Sequence, residues 1–184
     1  MSSIVVSGDT SGAITLAAPA VAGTNTLTLP AQTGTVVVGG PIFSAYQSTL
    51  QGLTGGTPAL CQLQTEEFDP NGCFNNTGST VTLNGISTPA YAFAPNVAGY
   101  YQVFCAYQVV SGAVLYPNIW KNGSQYRYGL NTTGANLTSG GFSTLMYLNG
   151  TGDYIQFYVY SNSSQNTVVG ITNTYFQANF VRAA

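Results

Sequence analysis

"YAFAPNVAGYYQVFCAYQVVSG", residues 91–112, decides the fold class, because from Tyr100 onward it alternates at period two. Tyr101, Val103, Cys105, Tyr107 and Val109 fall on one face of an extended chain. Tyr100, Gln102, Phe104, Ala106, Gln108 and Val110 fall on the other. Successive side chains of a strand point to opposite faces, so the first set reads as the core side of a half-buried strand. The second set is the puzzle. A solvent face normally carries Lys or Glu, and this one carries tyrosine and glutamine.

The same division recurs downstream. In 154–160, Ile155, Phe157 and Val159 oppose Tyr154, Gln156, Tyr158 and Tyr160. In 175–181, Phe176, Ala178 and Phe180 oppose Tyr175, Gln177, Asn179 and Val181. The runs "YYQVFCAYQVV", "GDYIQFYVYS", "NTVVGIT" and "TYFQANFVR" therefore read as strands. No stretch shows the i, i+3, i+4 apolar repeat of a helix. Turn signals lie between the runs: "PNG" at 70–72, "LNG" at 83–85, "KNGS" at 121–124 and "NGTGD" at 149–153. Asn122-Gly123 supplies the two positive φ values that a type I′ hairpin needs. The expected class is all-β, an antiparallel sandwich or barrel.

Only three basic and five acidic side chains occur in 184 residues, 4% of the chain, against about 25% in an ordinary soluble domain. Three scattered cations leave no electrostatic footprint for nucleic acid or an anionic membrane. Every apolar stretch is interrupted well before the roughly 20 residues of a membrane-spanning helix, so no membrane insertion is expected. The start, "MSSIVVSGDTSG", lacks the cationic and apolar regions of a signal peptide. Cys61, Cys73 and Cys105 lack metal-site spacing and read as small buried apolar residues, with one disulfide among them as the alternative.

Residues 1–40 differ in composition. "SGAITLAAPAVAGTNTLTLPAQTGTVVVGGP" is poor in aromatics and rich in Ala, Thr and Gly. Its short alternating pieces, Ile14 to Leu16, Leu27 to Leu29 and Val36 to Val38, cannot bury enough apolar surface to fold alone. We expect an extended, β-rich segment that docks on a partner, through Ile14, Leu16, Leu27, Leu29, Val36 and Val37. Gly39-Gly40-Pro41 marks the boundary with a head spanning 41–184.

Long strands without charge invite edge-to-edge association unless something covers them. Tyrosine gives large contact area with a polar tip and is enriched between chains. The expectation is a homo-oligomer with its uncharged faces closed off by rotational symmetry. The candidate interface residues are Tyr100, Gln102, Phe104, Tyr154, Tyr158, Tyr160, Tyr175 and Gln177.

Catalysis is not expected. The chain has no histidine, which removes Ser-His-Asp, Cys-His and His-metal schemes. Asp69 and Asp153 sit in turns, where Asp is the ordinary residue. Neither a metal site nor a cofactor site is expected, since Glu66, Glu67 and Asp69 read as a solvated turn. Trp120, with Tyr126 and Arg127 near the hairpin, is the candidate ligand contact: it either stacks on a sugar ring or packs beneath its own turn. Sequons at Asn75, Asn122, Asn131, Asn136, Asn149 and Asn162 read as Asn/Ser/Thr-rich loop composition.

Six elements, in order, resemble the C1q/TNF-like jelly-roll head: "PIFSAYQS" (41–48), "EEFDPNGCF" (66–74), "YAFAPNVAGYYQVFCAYQV" (91–109), "IWKNGSQYRYG" (119–129), "LMYLNGTGDYIQFYVY" (145–160) and "TYFQANFV" (174–181). The resemblance implies about ten strands in two antiparallel sheets and a compact homotrimer with aromatics on the threefold axis. The stretch "SGDTSGAITLAAPAVAGTNTLTLPAQTGTVV" (7–37) resembles a short module of tailed-bacteriophage structural proteins. Together these imply a non-enzymatic virion surface protein, made in the host cytoplasm. It would be a trimeric capsid decoration (cement) protein or head fibre, bound to other virion proteins through residues 1–40. The alternatives are a short tail fibre that binds a host glycan or receptor, and a cell-encoded C1q-like lectin or binding module.

Overall fold

A computed structural model describes residues 3–7, 11–17, 24, 39–129 and 137–184, and none of them is helical. The chain divides into two units, Met1–Gly34 and Thr35–Ala184. In the first, β1 (Ser3–Ser7) pairs antiparallel with β2 (Ala13–Ala17), Val5 opposite Thr15. The expected piece Ile14 to Leu16 thus lies on β2. Leu27, Leu29, Val36 and Val37 lie outside the described residues.

In the second unit the strands follow as β3 (Ile42–Tyr46), β4 (Gly52–Leu53), β5 (Ala59–Leu60), β6 (Thr65–Phe68), β7 (Val81–Leu83), β8 (Ile86–Thr88), β9 (Ala92–Phe93), β10 (Gly99–Ala113), β11 (Leu115–Lys121), β12 (Ser124–Tyr128), β13 (Leu137–Leu148), β14 (Ile155–Ser161), β15 (Gln165–Asn166) and β16 (Tyr175–Ala183). Two antiparallel sheets of five strands face each other. The front sheet runs β13-β10-β16-β3-β6. The back sheet runs β12-β11-β14-β5, with β9 also paired to β14. Apart from the β11–β12 hairpin, neighbouring strands in these sheets are not consecutive in the chain. β10 lies between β13 and β16, with Val103 opposite both Thr144 and Ala178.

The core is the set that alternation selects. Tyr101, Val103, Cys105, Tyr107 and Val109 of β10 are all at most 1% exposed, as are Ile155, Phe157 and Val159 of β14. Phe176 and Ala178 of β16 join them, and Phe180 packs on their flank. Phe43 is the hub: its ring stacks on Phe74 at 4.6 Å and Phe93 at 4.5 Å, and meets Phe176 edge-on at 5.0 Å. The three cysteines are free and buried in this core. Desolvation pushes the Cys61 and Cys105 thiols well up, so neither offers a thiolate.

The turn chemistry is local and follows from the residues. Asn84-Gly85 joins β7 to β8 with φ of 50° and 80°, and Asn122-Gly123 joins β11 to β12 with 52° and 77°. Both pairs have the positive φ at two successive positions that a type I′ turn demands, and Asn followed by Gly adopts it at least cost. One expected strand is largely absent. Of "NTVVGIT" (166–172), Asn166 is in β15 and Thr167 bridges Val109. The chain then turns at Gly170, φ 117°, held by Thr174 Oγ1 donating to Val168 O at 2.8 Å. Its Val-rich composition reads as strand, but the turn needs a residue free to take positive φ, and glycine supplies it.

Asn75 is 2% exposed and acts as a staple. Its Nδ2 places two N–H donors among three acceptors, Ser79 O, Thr88 O and Pro89 O, and its Oδ1 accepts from Thr77 N. That sequon is structural.

The hairpin and the 149–153 loop are tied by one buried carboxylate. Asp153 accepts from Lys121 Nζ at 2.8 Å, Asn122 Nδ2 at 2.7 Å and Asn149 N at 3.0 Å. Burial by itself disfavours the charge, but these donors outweigh it and hold the Asp153 carboxyl below the usual carboxylate range. A folded pKa below the unfolded one stabilises the fold above the unfolded value, about 3.9, and that contribution fades as pH falls through the folded value. Asp153→Asn is therefore expected to cost about 2 kcal/mol at pH 7 and to lose this acid-side dependence. Urea unfolding at pH 7 and pH 3 measures both; equal losses at the two pH values would contradict the assignment.

Candidate functional site

The buried faces of the two sheets meet in the core, so their outer faces lie on opposite sides of the sandwich. The interface candidates do not lie together. Tyr100, Gln102, Phe104, Tyr175 and Gln177 project from the front sheet, since they alternate with buried β10 and β16 residues. Tyr158 and Tyr160 project from the back sheet, and Tyr154 precedes β14 at its end. The set therefore divides between two surfaces of the sandwich. Parity along a single strand cannot reveal this, because it does not say which sheet a strand joins.

On the back face the central rings stack in pairs, while Tyr128 at the β12 edge is 61% exposed. Trp120 stacks on Tyr158 with centroids 4.1 Å apart, and Tyr116 stacks on Tyr160 at 4.1 Å. Beneath these rings Asn118 is fully buried. Trp120 has one ring face against Tyr158, and its Nε1 is out of solvent. The indole thus packs within its own sheet. Tyr126 and Arg127 sit on β12, the outermost strand of that sheet, with the guanidinium 5.4 Å over the Tyr126 ring.

The front face stays open. Leu145 is 50% exposed, Tyr147 41% and Tyr100 38%. These three are neighbours: Tyr100 is opposite Tyr147, and Leu145 is opposite Gln102. Phe104 stacks on Tyr175 at 5.5 Å further along, and Ile42 lies opposite Asn179 on the next strand. Gln102 bonds Ser143, and Gln177 Nε2 donates to Ser44 Oγ at 3.0 Å, so amides between the rings are pinned across strands. Where Ala106 faces Gly141, the small residues leave a depression of about 360 Å³ walled by Gln108, Thr172 and Tyr175. Charge on this face is confined to its margins. Arg182 lies 5.8 Å over the Tyr100 ring at one end, and Glu67 accepts from Ser44 Oγ at 3.0 Å at the β6 edge. Sequence reasoning missed Leu145 and Tyr147, although the alternation Thr144, Met146, Leu148 against Leu145, Tyr147 carries the signal.

This face offers apolar, aromatic and amide area of the kind that is buried against protein. Among the described residues no cluster of three or more Cys, Asp or Glu side chains is positioned to hold a metal ion.

No protein-family description matches the chain, and no curated protein matches it in sequence. Solved structures do match. The TNF protein Eiger of S. frugiperda superposes with a TM-score of 0.55 at 9% identity, covering 79% of this chain and 95% of that one. Murine APRIL gives 0.51 at 9% identity, over 77% and 99% of the two chains. The globular domain of zebrafish complement 1qA gives 0.50 at 16% identity, over 78% and 99%. At these identities the likeness shows the fold, and the head is an antiparallel jelly roll of the TNF and C1q type.

Proposed function

We propose that this chain is a non-enzymatic structural protein of a tailed-phage virion surface, a capsid decoration or head fibre. Three heads assemble through the outer face of the front sheet, and residues 1–40 hold the trimer on the particle through other virion proteins. The observation that carries the proposal is the open patch of Tyr100, Leu145 and Tyr147 with pinned amides around it. An apolar, aromatic and amide surface with charge only at its rim is the composition of an interface core. The threefold number follows the jelly-roll resemblance, and the virion setting follows the resemblance of 7–37 to a phage module. The packing of Trp120 favours decoration over a glycan-binding fibre, because one face of the indole is stacked on Tyr158 and its Nε1 is out of solvent.

Sedimentation equilibrium of the full chain tests the assembly; a monomer at micromolar concentration would refute it. The anchor has its own test. Deletion of residues 1–40 is expected to abolish co-purification with particles, and normal incorporation of the truncated protein would overturn that role.

A further inference from the structure

Of the three cations in the head, two are engaged within the chain. Lys121 bridges Asp153 and donates to Tyr147 O at 2.9 Å. Arg182 donates to Ala183 O at 3.3 Å. Arg127 rests on Tyr126 and has no hydrogen-bond acceptor or carboxylate partner among the described residues. Its position in the register is unusual for a charge. It lies opposite Ile119, which is 1% exposed, so it stands on the core-facing side of β12. Among the described residues β12 pairs only with β11, and β13 only with β10, so two edge strands flank a cleft. That cleft has a volume of about 420 Å³ and is lined by Tyr126, Arg127, Tyr128, Phe142, Ser143 and Thr144. A guanidinium with five donors thus borders a cleft whose other walls supply no negative charge.

The complementary group lies at the far edge of the front sheet. Glu67 is exposed on β6, and Ser44 Oγ donates to its Oε2 at 3.0 Å, backed by Gln177 Nε2 at 3.0 Å from that hydroxyl. The carboxylate is held in place and has no cation beside it among the described residues. A closed ring of copies joins two different patches of each subunit, so one edge of a copy meets another part of the next. In a chain with so few charges, an unpaired cation at the β12–β13 edge and an oriented carboxylate at the β6 edge are suited to that contact.

Building on the trimer reading above, we propose that Arg127 of one copy pairs with Glu67 of the next copy, once at each contact around the ring. The pair selects which edge docks on which face, the role for which interfacial charges are best suited. A different role for Arg127 is guarding the edge, since a charge on the core side of an edge strand deters strand addition. The two roles separate under charge reversal, because a glutamate guards an edge as well as an arginine does.

Full-length Arg127→Glu, Glu67→Arg and the double reversal would be compared with wild type by sedimentation equilibrium, with circular dichroism to show that each is folded. Each single reversal is expected to raise the trimer dissociation constant about 10- to 100-fold, through like-charge apposition. The double reversal is expected to return within about threefold of wild type. Single reversals without effect, or a double variant weaker than either single, would overturn the pair. Arg127→Gln provides a second reading: wild-type assembly should weaken with added salt more steeply than that of this variant, and equal salt slopes would count against the pair. A monomeric wild type would remove the trimer reading and the ion pair together. Trimers indifferent to both reversals would remove the ion pair alone.

Discussion

If the head assembles as proposed, Leu145→Arg is expected to leave it folded and to dissociate the trimer. Leu145 lies on the outer side of β13, half exposed, opposite Gln102 and one pair from the Tyr100–Tyr147 contact. A guanidinium there costs nothing in the isolated subunit, because solvent reaches it. In the assembly it must be buried among rings and amides with no carboxylate beside it, and its symmetry mates bring like charge close. Breaking a buried charge balance costs about 3–5 kcal/mol, more than a hundredfold in the dissociation constant at each contact. The control is Tyr160→Arg on the back sheet, which removes a stack on Tyr116 but faces away from the assembly. Sedimentation equilibrium of the pair reads the result directly. A trimeric Leu145→Arg beside a dissociated Tyr160→Arg would move the interface to the other side of the sandwich.

Phe43→Ala is expected to cost about 3–5 kcal/mol of stability, the range for removing a buried aromatic. For a chain of this size that lowers the midpoint of thermal unfolding by about 6–20 °C. Phe43 is 1% exposed, and its ring touches Phe74, Phe93 and Phe176. These three come from the segment after β6, from the back sheet and from β16, so one ring connects both layers. The cavity cannot collapse easily, because its walls are other rings held by their own strands. Calorimetry or circular dichroism checks the shift; a loss below about 1 kcal/mol would mean that Phe74 and Phe93 close the space. The aromatic that stacks outside the core, Phe104, should cost far less when truncated in the monomer.

The assembly predictions rest on exposure and the stability prediction on burial, and the sequence separates those two properties well. Val103 and Phe104, adjacent in the chain, end on opposite sides of a sheet because successive side chains must. The same rule places Phe157 in the core and Tyr158 outside it. Asn84-Gly85 and Asn122-Gly123 turn the chain where they stand because their backbone preferences act within a few residues. Where a strong composition misled, as in "NTVVGIT", the cause was also local: Gly170 breaks the run, and a side chain, Thr174, holds the turn.

Which outer faces share a side of the molecule is a different kind of information. Residues 100–110 and 175–181 enter one sheet, and 154–160 enters the other. No periodicity encodes that, since hydrogen-bond partners such as Phe104 and Gln177 are far apart in sequence. The sequence by itself determined the class, the core set, the turns and the presence of an uncharged aromatic surface, because each follows from alternation, composition or a dipeptide. Only the tertiary structure decided that this surface is two surfaces. On one, Trp120 stacks on Tyr158 and Tyr116 on Tyr160, leaving Tyr128 exposed at the β12 edge; the other is open at its centre, at Tyr100, Leu145 and Tyr147. The physical reason is that side-chain direction is a property of one strand, whereas the side of a sandwich is a property of the pairing between strands.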